Sequence, residues 1–149
     1  MNILKSVTIT IVVLIWASML ADANDSNETL DFSKMNKYEV DHILLQGIKS
    51  GDIELIKSFV DSGNSVNYYK NSVPLLVTAV YQGKREIVEY LVDNGADVNL
   101  PSKGNTDRHY PIISAVIKND LPMVKYLLEH GAKLRVSDNR GNRPLYFAS

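Results

Sequence analysis

The residues able to do chemistry in this 149-residue chain are few and scattered. Histidine occurs at His42, His109 and His130, and no two share the His-x-x-x-His spacing that puts both imidazoles on one helical face for a metal. His130 directly precedes Gly131, where a basic group suits the negative end of a helix. His109 follows Asp107 and Arg108 in a polar turn, the one cluster around which an unfamiliar active site can be imagined, although a surface contact fits it better. Asp52 and Glu54 resemble paired carboxylates, but acids in the first turn of a helix favour its positive end. No Gly-x-Ser-x-Gly elbow, phosphate-cradling glycine loop or dinucleotide fingerprint occurs. Cysteine is absent, which excludes a thiol nucleophile, a disulfide framework and a cysteine-based zinc site. These residues therefore predict no catalytic group, no metal and no cofactor. What remains is recognition chemistry. Tyrosine and arginine combine large contact area with a polar tip, and such side chains dominate interface energetics.

The elements that position these side chains recur along the chain. Residues 47–67, 79–99 and 115–135 align on one template. Gly63, Gly95 and Gly131 share one position, with spacings of 32 and 36, and Ala79, Ala115 and Ala148 share another, with spacings of 36 and 33. Apolar residues at Ile53, Ile56, Phe59 and Val60, at Ile87, Val88, Leu91 and Val92, and at Val124, Leu127 and Leu128 are stepped by three and four, the period of one helical face. The glycine after each run is the expected left-handed stop. A shorter helix precedes each run, over residues 38–50, 75–82 and 112–118, with the small residues Gly47, Ala79 and Ala115 allowing close approach of its partner. One such pair cannot bury its apolar face alone, so copies must stack. The predicted fold is an all-α solenoid of about three and a half helical repeats, with repeats over 38–67, 68–99 and 100–135 and a partial fourth over 136–149.

The repeat resembles the ankyrin repeat, a unit of about 33 residues built as a β-turn and two helices. Gly95-Ala96-Asp97-Val98-Asn99 is similar to that family's loop after its second helix, and Gly131-Ala132 and Val66-Asn67 match parts of it. Asp138, Gly141, Pro144 and Leu145 match the turn and the opening of the first helix. Where the family favours Thr-Pro-Leu-His, this chain has Pro74-Leu75-Leu76-Val77, Tyr110-Pro111-Ile112-Ile113 and Arg143-Pro144-Leu145-Tyr146. The capping threonine and bridging histidine are missing throughout. A less stable stack than a consensus array is expected, since a lost N-cap costs about 1 kcal/mol. About three extra residues lie within 100–110. The resemblance implies that a partner protein docks on the concave face made by turn tips and first helices. On this chain that face comprises Tyr69, Lys70, Asn71, Tyr81, Gln82, Lys103, Arg108, His109, Tyr110, Ile117, Lys118, Asn139, Arg140, Asn142 and Arg143. Of the pair Tyr68-Tyr69, one is open to a packing role beneath the turn.

Composition is ordinary for a globular chain, 45% hydrophobic and 22% charged, and the net charge of −1 gives no global attraction to nucleic acid. The charge is uneven. Residues 24–99 carry seven basic and twelve acidic groups, a net of −5, whereas residues 100–149 carry eight and four, a net of +4. An acidic partner surface is one consequence, an ordinary solvated face the other.

The N-terminus has a different character. Lys5 is followed by an apolar run over residues 7–20 and by Ala21-Asp22-Ala23, the n-region, h-region and small-x-small site of a secretory signal. The run of 14 is shorter than the roughly 20 apolar residues of a membrane span. Residues 1–23 are thus expected to be a signal peptide cut between Ala23 and Asn24, and 24–37 a flexible polar linker with N-x-S/T triplets at Asn24 and Asn27. The expected protein is periplasmic or secreted, monomeric, bound to another protein, free of nucleic acid and free of membrane once cut. Within that class stand an inhibitor or immunity protein blocking a toxic enzyme, a support protein for another enzyme, and an adaptor anchored by an uncut leader. N-terminal sequencing of the exported protein should begin at Asn24, whereas an intact Met1 in the membrane fraction would make the leader an anchor.

Overall fold

The structure, a computed structural model, describes residues 30–103 and 109–133. The signal-peptide expectation, the linker up to residue 29 and the partial repeat at 136–149 lie outside the described residues. Within the compact unit that begins at Asp31 there are six α-helices among the described residues. They are α1 (Lys37–Ser50), α2 (Ile53–Asp61), α3 (Leu75–Tyr81), α4 (Arg85–Asp93), α5 (Pro111–Ile117) and α6 (Leu121–Glu129). Each odd helix packs on the even helix that follows. Neighbouring pairs stack through α1 on α3, α3 on α5 and α2 on α4. The first helices thus form one layer and the second helices another, as the recurring pattern predicts.

The core runs continuously through this stack. Leu44, Ile48, Ile56, Phe59, Leu75, Ile87, Leu91, Ile112, Met123 and Leu127 are essentially inaccessible to solvent. Each contributes roughly 1.5–3 kcal/mol relative to exposure. The third unit differs in one respect. Its buried stripe is Met123 and Leu127, in register with Ile87 and Leu91, while Val124 is half-buried and Leu128 is exposed. Gly47 sits where an added Cβ would meet the Leu55 side chain, so the close helix approach expected there is real.

The second helices stop at Gly63, Gly95 and Gly131, with φ of 85°, 86° and 87°. There the Ala96 and Ala132 amides reach back to the Leu91 and Leu127 carbonyls, each at 2.9 Å, satisfying groups the helix end leaves open. The missing capping threonine has its expected local effect. Neither Pro74 before α3 nor Tyr110 before α5 supplies a side-chain cap, although Pro111 fits the first helical position.

The polar ties between repeats are carried by other residues. The Asn67 side-chain oxygen accepts from the Asp97 amide at 2.9 Å. Asn99, 32 positions later, accepts from the Lys133 amide at 2.9 Å and donates to the Gly131 carbonyl at 3.0 Å. Asp41 on α1 is almost fully buried. Its carboxylate accepts from the Tyr68 hydroxyl at 2.7 Å, from the Asn71 amide at 3.2 Å and from the Lys37 ammonium at 3.0 Å. It thereby holds the hairpin of β1 (Tyr69–Lys70) and β2 (Val73–Pro74), paired antiparallel with Tyr69 opposite Pro74. The two linking residues, Asn71 and Ser72, have φ of 44° and 68°, the doubly left-handed turn that suits strand twist and disfavours side chains other than glycine and asparagine.

The linker expected over residues 24–37 is corrected from Asp31 onward. Phe32–Lys34 forms a 3-10 turn, and the Phe32 ring is buried edge-on against Phe59 at 5.2 Å between centroids. Asn36 and Glu39 then form a reciprocal capping box, so α1 starts at Lys37. The physical reason is apolar burial, since Phe32 covers the Phe59 end of the first described helix pair.

Burial alone would raise the Asp41 pKa. The hydrogen bonds from Tyr68, Lys37 and the Asn71 amide outweigh it and hold the carboxyl below its ordinary value of 3.8. A depressed native pKa gives stability that is full above the unfolded value and is lost as pH falls through the native one. Asp41→Ala is therefore expected to cost about 2–3 kcal/mol at pH 7, because Tyr68 and Asn71 lose their acceptor. In urea unfolding, Asp41→Asn should lose less stability than the parent between neutral and strongly acidic pH.

Candidate interaction surface

Recognition side chains gather where hairpins and first helices of the second and third repeats meet. The Tyr69 hydroxyl donates to the Pro101 carbonyl at 3.2 Å, and the Lys103 ammonium lies 3.9 Å from the centre of its ring. Burial, and then the nearby Asp97 charge, push the Tyr69 hydroxyl pKa up. The Lys103 amide also donates to the Ser72 carbonyl at 2.7 Å, which ties the third repeat to the tip of the hairpin. At the far end of α3 the Lys118 ammonium lies 4.3 Å from the centre of the Tyr81 ring. Each pair joins a tyrosine of the second repeat to a lysine of the third, in the cation–π geometry.

Tyr81 and Lys118 border an open depression of about 410 Å³ that Gln82, Asn119 and Pro122 also line. Tyr81 is 47% exposed, Ile117 43% and Leu121 71%. These three apolar side chains lie around the turns between α3 and α4 and between α5 and α6. Ile117 does not complete the core.

The residues expected to meet a partner thus fall into two groups. Tyr69, Lys70, Asn71 and Lys103 belong to the hairpin end, and Tyr81, Gln82, Ile117 and Lys118 to the helix end. His109 and Tyr110 are half-buried at the entry to α5, where the His109 amide and carbonyl close on Ser102 at 2.8 and 2.9 Å. Arg108, Asn139, Arg140, Asn142 and Arg143 lie outside the described residues. Tyr68 takes the packing role. Its ring sits edge-on to Phe59 at 5.2 Å, and its hydroxyl serves Asp41. Burial and then the Asp41 hydrogen bond push the Tyr68 pKa up. His130 closes α6, with its ring nitrogen 2.8 Å from the Tyr126 carbonyl. Asp52 caps α2 through the Leu55 amide, and Glu54 pairs with Lys57 at 2.8 Å, so neither is poised for acid–base work. Asp41 escaped the sequence reading because a lone acid beside His42 has no periodic signal. Phe32 did carry one, as the isolated aromatic in a polar stretch.

Family models for ankyrin repeats match residues 112–149 and 70–103. An ankyrin repeat protein of fowlpox virus is 32% identical over 121 residues, covering 75% of this chain and 34% of the viral protein. Human diacylglycerol kinase iota is 29% identical over 105 residues, or 70% of this chain and 10% of the kinase. The phosphocholine transferase AnkX of Legionella pneumophila is 30% identical over 107 residues, covering 70% of this chain and 11% of that enzyme. This chain therefore spans about a third of the viral protein and about a tenth of either enzyme.

The two adjacent tyrosines should separate in their effects. Tyr68→Phe is expected to lower stability by about 1–2 kcal/mol, because a buried carboxylate loses a donor. Tyr81→Ala, at an exposed position, should stay within about 0.5 kcal/mol of the parent. Thermal melts of the two variants read the difference.

Proposed function

Because the chain belongs to the ankyrin repeat family of protein–protein interaction modules, we propose that it is an exported binding protein whose partner docks across its hairpin tips and first helices. The observation that carries this reading is the exposed Tyr81 ring beside Lys118 at an open depression, with Ile117 and Leu121 also exposed on the chain next to its lining residues. A stack already holding a continuous core has no structural use for apolar side chains there, and interface anchors are of this kind. Export rests on the apolar run over 7–20 and the Ala21-Asp22-Ala23 site. Binding, rather than catalysis, follows from side chains already engaged as helix caps, ion pairs and hairpin ties.

A crosslinking pull-down from the exported fraction tests the proposal, with the full chain as one bait and Tyr69→Ala, Tyr81→Ala and Arg108→Ala together as the other. The expected result is a protein held by the first bait and lost by the second. Equal capture by both would overturn the assigned face. A captured hydrolase silenced in the complex would make the chain an inhibitor or immunity protein.

A further inference from the structure

Cations are matched differently on the two layers of the stack. On the second helices Lys57 pairs with Glu54 at 2.8 Å, Arg85 with Glu89 at 2.7 Å and Lys125 with Glu129 at 3.9 Å. Each of these pairs lies within one helix and neutralises itself. On the hairpin and first-helix side of the second and third repeats, Lys70, Lys103 and Lys118 have no carboxylate partner among the described residues. Helices α3 and α5 carry no acidic residue at all. Among the described residues, Asp41, Asp97 and Asp120 are otherwise engaged. Asp41 is buried beneath Tyr68, and Asp120 caps α6 through the Met123 amide at 3.0 Å. Asp97, whose charge reaches Tyr69, lies in the loop after α4.

Lys103 and Lys118 are also held in place rather than free to sweep. Each ammonium rests over a tyrosine ring of the preceding repeat. That contact reduces the side-chain entropy a partner must remove on binding. The two lysines mark opposite ends of α3, a helix of seven residues and so about 10 Å long. An extended chain advances about 3.3 Å per residue, so acids roughly four positions apart and pointing the same way span this distance.

We infer that the partner presents an extended acidic segment to this face, with two carboxylates engaging Lys103 over Tyr69 and Lys118 over Tyr81. The inference rests on the docking face proposed above and specifies the chemistry of its occupant. Tyrosine supplies contact area at both ends, and the lysines supply charge that no carboxylate pairs among the described residues.

Fluorescence anisotropy with the full-length chain tests it, using a labelled peptide of about 12 alternating glutamate and glycine residues, whose carboxylates share one face when extended. The expected result is saturable binding that weakens as salt rises, with no binding of the glutamine–glycine analogue. Lys103→Glu with Lys118→Glu should weaken it at least about tenfold, equivalent to roughly 1.4 kcal/mol. Lys57→Glu with Lys125→Glu on the other layer should leave it unchanged. Lys103→Gln with Lys118→Gln, which keeps side-chain cover over the rings, repeats the test if charge reversal disturbs folding. Equal binding of the glutamine peptide, no binding of either peptide, or less than about a twofold loss in both lysine variants would overturn the inference. If the partner in the pull-down were lost with the tyrosine variant but kept by both lysine variants, the docking face would stand and the acidic occupant would fall.

Discussion

A pair of short helices has an apolar surface on both flanks, and neither flank is stable in water. Everything else in this chain follows from covering them. Between repeats the cover is mutual, with α3 lying between α1 and α5 and its Leu75 and Val80 wholly enclosed. Ahead of α1, the short segment carrying Phe32 packs against Phe59.

Stacking fixes the helices but leaves the connecting hairpin to be held by polar contacts. Asp41 does this from below and the Lys103 amide from the side. The hairpin turn needs two consecutive left-handed residues, and Asn71 with Ser72 is a less comfortable pair than asparagine with glycine. A buried carboxylate accepting the Asn71 amide and the Tyr68 hydroxyl offsets that cost. The Asp41 cluster thus links the N-terminal repeat to the position of Tyr69, and so to one end of the docking face. Asn67 and Asn99 tie the loops after the second helices, where each reaches the next repeat's glycine-bearing loop.

The same two-layer arrangement separates two kinds of charge. Acids and bases of the second helices fall four or three residues apart and meet within one helix. The first helices α3 and α5 are too short and too apolar to carry such pairs. Their neighbouring lysines rest instead on aromatic rings contributed by the repeat before. A face with lysines resting on tyrosine rings is a consequence of building repeats with unequal helices.

The sequence by itself determined the helix pairs seen among the described residues. Apolar steps of three and four, and glycines recurring at 63, 95 and 131, are local signals, since helix periodicity and a left-handed stop depend on residues close along the chain. Family membership followed from the same register. Tertiary structure alone decided which polar residues matter. Asp41 meets Tyr68 and Asn71 about thirty positions away, Lys118 meets Tyr81 across a repeat boundary, and nothing in the neighbourhood of any one of them announces its partner. Of two adjacent tyrosines, Tyr68 packs on Phe59 and Asp41 while Tyr69 lies beneath Lys103, because the stacked neighbours alone define which contacts each can reach.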